Sequence, residues 1–121
     1  QGAALTVVGA FDNPQRLALQ DAGVQTLLMP GAAGKVDLQA VIQVLGSQQC
    51  NEVHVEAGAA LSGALVHAGL VNEILLYMAP KFLGAGAGVL ALPEMQNLNQ
   101  VRTWQLVDMA QVGQDIRLRC R

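Results

Sequence analysis

The chain has 121 residues, 13% of them charged, and a net charge of −2, which is enough length for one domain with a core of its own. Seven basic residues against nine acidic ones leave no electrostatic footprint for nucleic acid. Phe11, Tyr77, Phe82 and Trp104 are too few to stack bases, and the weakly polar run 57–71 is too short and too rich in Gly and Ala to span a bilayer.

"LTVVGA" (Leu5–Ala10) is a short apolar run suited to a buried strand. Asn13-Pro14 then signals a helix start, with Asn13 as cap and Pro14 in the first helical position, and Gly23 is the natural stop. "VQTLLM" (Val24–Met29) reads as the second strand, closed by Pro30-Gly31. Asp37 is a good cap for a second helix, on which Leu38, Val41, Ile42 and Leu45 recur at helical spacing and mark one apolar face. "EVHVEA" (Glu52–Ala57) alternates as a third strand. "AALSGALVHAG" follows as a helix with Leu61, Leu65 and Ala68 on one side and Gly69 as its C-terminal cap. "EILLYMAP" gives a fourth strand, stopped by Pro80. The tail reads as a hairpin, "VRTWQLVDMAQ" and "IRLRCR" about a "VGQD" turn. Strand–helix alternation predicts an α/β fold whose sheet is mostly parallel, with a C-terminal antiparallel hairpin, and ligands at the strands' C-terminal edge.

Glu56 falls where the third predicted strand meets a helix. Gly58 follows, and the unpaired N–H groups of a helix N-terminus form a ready anion site that small residues leave open. Two readings stand side by side: Glu56 serves a substrate and the Gly58 turn a cofactor phosphate, or Glu56 is a solvated strand end beside an ordinary glycine turn. "GAGAG" (Gly84–Gly88) is the decoy, since a phosphate-cradling loop opens a helix and this one runs into "VLALPEM". His54 and His67 lack Cys, Asp or Glu at ligand spacing, so no metal site is expected. Ser47 and Ser62 lie in no nucleophile motif. Arg117, Arg119 and Arg121 read as the solvated face of an edge strand, and Lys81 as a solvated lysine. Cys50 and Cys120 read as free thiols of a reducing cytosol, so a cytoplasmic setting is expected.

The stretch "VHVEAGAALSGALVHAGLVNEILLYMAPKFLG" resembles the reductase domain of the bacterial riboflavin-biosynthesis deaminase/reductase. The family's strand–turn–helix reads V-E-[AG]-G-x-x-L and continues through a "gLvDE…aPklLG" segment, matched here by "GLVNEILLYMAPKFLG". Weaker similarity extends upstream through "VDLQAVIQVLG" and downstream to the closing hairpin. The resemblance implies a dihydrofolate-reductase-like fold and NADPH-dependent reduction of the ribosyl group of an aminopyrimidine ribosyl phosphate. It gives Glu56 to the substrate and the backbone of Gly58, Ala59, Ala60, Leu61, Ser62, Gly63 and Ala64 to the cofactor. Ala57 and Ala59 stand where many relatives have glycine or proline, and Asn72 replaces a common aspartate.

The family's reductase domain begins well upstream of the residue matching Gln1, so the sequence is expected to be the C-terminal portion of that domain, inactive alone, and to form a homodimer. A non-catalytic dimerisation module and another reductase of the same fold are the rival readings.

Overall fold

The computed structural model describes residues 5–97, 99 and 101–121, in two compact units, Gln1–His54 and Val55–Arg121. In the first, β1 (Thr6–Gly9) and β2 (Gln25–Leu28) pair in parallel, Val7 opposite Thr26 and Val8 opposite Leu27, with α1 (Pro14–Asp21) as the crossover. α1 starts where expected: the Asn13 side chain accepts the Arg16 N–H at 3.0 Å, and Pro14 opens the helix. Arg16 also ties α1 to β2, its Nε donating to Thr26 Oγ1 at 3.1 Å. α2 (Leu38–Ser47) is capped by Asp37, which accepts the Ala40 N–H at 3.0 Å. Leu38, Val41, Ile42 and Leu45 are all half-buried on it while Gln39 and Gln43 are exposed, so the apolar face is as read.

In the second unit, α3 (Ala59–His67) precedes β3 (Ile74–Met78), β4 (Leu106–Val112) and β5 (Asp115–Cys120), in the sheet order β3-β5-β4. Gly113 takes φ 63° in the turn between Val112 and Asp115, as a two-residue hairpin loop with glycine first requires. Among the described residues, Leu65 and Val66 of α3 are the buried hydrophobic side chains, at 6% and 7% exposure.

Three expectations change. Residues 52–57 form no strand, and no described strand pairs with them. Alternation prepares a segment for a ladder, but a partner's N–H and C=O groups make it a strand. The fourth predicted strand, now β3, is antiparallel to β5, Leu76 opposite Leu118, so the parallel pairing described is that of β1 with β2. An apolar run carries burial and no direction, which is why sequence pattern misplaced it. The arginine stripe lies on the central strand of its sheet, not on an edge. Arg117 is consequently bonded at 2.6 Å to Asp108 of β4, and that hydrogen bond raises the guanidinium's pKa above the ordinary arginine value. Arg121 pairs at 2.6 Å with Glu73, just before β3.

A bulge interrupts β4 at Val107: Leu106 opposes Cys120, whereas Asp108 opposes Arg119. Gln105 and Arg121 exchange two backbone hydrogen bonds, of 2.8 and 3.0 Å. The extra residue puts Leu106 on the face of Met109 and Leu118, and Gln105 on the arginine face. Strict alternation would have exchanged the two.

Among the described residues, the α-helices α1, α2 and α3 end alike. The N–H groups of Gly23 and Val24 bond Gln20 O and Leu19 O, and those of Gly69 and Leu70 bond Val66 O and Leu65 O. Those of Gln49 and Cys50 bond Gly46 O and Leu45 O. This is the doubly bonded C-terminal motif whose first residue past the cap is left-handed, here Gly23 (φ 82°), Gly69 (φ 74°) and Gln49 (φ 65°). Glutamine carries a steric cost in that conformation that glycine does not. Gln49→Gly is therefore expected to stabilise by about 0.5 kcal/mol, the strain relief exceeding the added freedom of the unfolded chain. Asp37→Ala should lose about 1 kcal/mol through the missing cap. Denaturant titration of both variants checks the opposite signs.

Candidate functional site

The turn into α3 brings the predicted residues together within the second unit. Glu56 is exposed and stands two residues before Gly58, the N-cap. Gly58 is extended (φ −72°, ψ 170°), its carbonyl accepts the Ser62 N–H at 3.1 Å, and as a glycine it has no side chain with which to cap the helix. The first-turn donors of Ala59, Ala60 and Leu61 have no partner within the helix, and the cap residue supplies none from a side chain. A Cβ placed on Gly58 would meet no atom within 4 Å, and Ala60 is exposed, so the approach to these donors is open. Ser62 braces the turn, its hydroxyl donating to Ala57 O at 3.3 Å. Such a turn suits the oxygens of a phosphate, held by neutral backbone groups and the positive end of the helix dipole.

The later residues of the predicted stretch lie differently. Leu61 is 44% exposed, and Ala64 and Ala68 are exposed too. The buried positions of α3 are Gly63, Leu65 and Val66, not the stripe of Leu61, Leu65 and Ala68 that spacing predicts. The reason is Gly63, which presents bare backbone to Ala91: a Cβ on Gly63 would lie 2.3 Å from Ala91 O and 2.9 Å from Ala91 N. The Ala91 N–H donates to Ala59 O at 2.9 Å. At the other end of α3, Arg102 Nη1 donates to Val66 O at 3.1 Å, and its guanidinium lies 5.9 Å from the Trp104 ring centre. A cation there complements the helix's negative end. Sequence reasoning missed both Ala91 and Arg102, and no local pattern marks either.

"GAGAG" lies in irregular chain and opens no helix. His54, His67 and Lys81 are exposed, and the described residues contain no group of three or more His, Cys, Asp or Glu able to hold a metal. Cys50 and Cys120 are free thiols. Among the described residues no helix is long and apolar enough to cross a membrane.

The profile of the RibD C-terminal domain matches residues 3–118. The chain is 43% identical over 96 residues to the riboflavin biosynthesis protein RibD of Escherichia coli K12, covering 78% of this chain and 26% of that protein. It is 35% identical over 85 residues to the 5-amino-6-(5-phosphoribosylamino)uracil reductase of Buchnera aphidicola (subspecies Acyrthosiphon pisum), covering 69% of this chain and 41% of that one. Among solved structures, Acinetobacter baumannii RibD superposes with a TM-score of 0.76 at 35% identity, over 95% of this chain and 30% of that chain. The fold is thus the dihydrofolate-reductase-like α/β fold, and the chain spans about a quarter of the length of the E. coli protein.

Arg102 is the contact that can be tested without a ligand. Arg102→Ala should remove about 1 kcal/mol from α3 by taking a charged donor from the helix's last carbonyls. Hydrogen exchange should report this as faster loss of the Gly69 and Leu70 amides, with the α1 amides unchanged.

Proposed function

We propose that this chain, which belongs to the RibD C-terminal domain family, is the cofactor-holding part of a reductase of riboflavin synthesis. The substrate is 5-amino-6-(5-phosphoribosylamino)uracil, reduced to its ribityl product with NADPH in the cytoplasm. One observation carries the reading: the glycine-capped helix N-terminus follows Glu56 by two residues, inside the stretch that bears the family's motif. The bound NADPH supplies the hydride. The protein's part is to hold and orient. The first-turn N–H groups of α3 grip a phosphate of the cofactor, while the Glu56 carboxylate accepts hydrogen bonds from the substrate's hydroxyl or ring N–H donors. A carboxylate at this position fixes the ribosyl carbon that gains the hydride without itself reacting.

Residues 1–121 hold one section of a dinucleotide, and the remaining length of the relatives supplies other contacts. Orientation along the whole cofactor contributes much of the rate of a bimolecular transfer. The native protein is a homodimer in this reading, because the apolar face of the second sheet leaves Met109 65% and Leu106 55% exposed. That face also supports the rival reading of a module that only associates.

Glu56→Gln in the native protein should lower kcat/KM for the pyrimidine substrate by about tenfold to a hundredfold, the loss of a charged hydrogen bond, and leave the melting temperature nearly unchanged. Normal turnover with a large loss of stability would make Glu56 structural. Residues 1–121 alone should bind NADPH far more weakly than the native protein in calorimetric titration. Equal affinity would put the whole cofactor site inside these residues. Light scattering at micromolar concentration should give the mass of a dimer, and a monomer would remove the association.

A further inference from the structure

We infer that Gly63 is a positioning residue: it admits the backbone of Ala91, and Ala91 holds the first turn of α3 where the cofactor's phosphate is received. The inference rests on the proposed NADPH site, within which the resemblance gives Gly63 a cofactor contact. The geometry points elsewhere. Gly63 is buried, and the space its Cβ would need is filled by Ala91 O at 2.3 Å, Ala91 C at 2.7 Å and Ala91 N at 2.9 Å. All three are backbone atoms, so a larger residue cannot be accommodated by turning a side chain aside. φ at Gly63 is not in the left-handed region, so its role is one of space and not of backbone conformation.

The close approach has a product, the hydrogen bond of 2.9 Å from the Ala91 N–H to Ala59 O. Ala59 is the first residue of α3 and carries one of the donors offered to the phosphate. At the opposite end Arg102 holds Val66 O at 3.1 Å. The helix is thus fastened at both ends by the chain that follows β3, and Gly63 is the position on which the first fastening depends. Phosphate binding by backbone donors is steep in distance and angle, so a helix that tilts loses cofactor affinity even when it stays folded.

Two variants of the native protein separate this role from others. Gly63→Ala drives Ala91 away from α3. Ala91→Pro leaves the helix sequence intact and removes the N–H that bonds Ala59 O. Both should raise the Kd for NADPH, followed by its fluorescence, about tenfold, while the Kd of the pyrimidine substrate stays within about twofold. In Ala91→Pro the amides of Ser62 to Ala64 should also exchange faster, without cofactor present. If Gly63→Ala does not fold, Ala91→Pro carries both readouts. Unchanged NADPH affinity in folded Ala91→Pro, or equal losses for cofactor and substrate, would overturn the inference. A wild-type protein that binds no NADPH would remove the proposed function and with it the cofactor role of Gly63. Unchanged exchange at Ser62 to Ala64 would instead show that Ala91 does not hold the turn.

Discussion

The ladder made by β5 is the constraint on which the second unit depends. Residues 115–120 pair on one side with β3 and on the other with β4, so both neighbouring strands take their hydrogen bonds from the end of the chain. A sheet with this order cannot assemble its centre until Asp115–Cys120 are in place. The hairpin closes locally about Gly113, but β3 must wait for a partner distant in sequence, the kind of contact that slows folding. It also accounts for the half-burial of Arg117 and Arg119, since a central strand has neighbours on both flanks. Asp108 and Glu73 supply the carboxylates that Arg117 and Arg121 then need.

What could be read from the sequence was local. Asn13-Pro14, Asp37, Gly23 and Gly69 are each read within a few residues, because a cap is a contact between a residue and the helix turn next to it. Strand direction was not legible. "EILLYM" fits a buried strand of either sense, and its sense is decided by a hairpin beginning at Leu106. "EVHVEA" alternates as well as any strand in the chain, but it is not paired to any described strand. Pattern prepares a segment; pairing decides.

The site divides in the same way. Glu56, Gly58 and the first turn of α3 are contiguous, and the chemistry of a helix N-terminus needs nothing further to be recognised. The apolar stripe on α3 failed because its buried face is built around Gly63, which has no side chain for a hydrophobic pattern to register. Arg102 was out of reach for another reason: it meets Val66 O across a separation of 36 residues. A lone arginine amid polar and apolar neighbours gives no sign of which carbonyl it will hold.

The bulge at Val107 makes the count of residues in β4 a matter of parity. From Asp108 to the turn, the register is set by Gly113 and its neighbours; beyond Val107 it is one residue out of step. A relative lacking Val107 would have the same loop length and nearly the same strand, and with no bulge left it would still set Leu106 opposite Cys120 and Gln105 opposite Arg121. A single-residue gap in an alignment at this point is thus the closing of a bulge, whereas a relative that keeps the residue and pairs it in regular register exchanges the two faces. Only in the second case should the composition of the segment preceding it change sides.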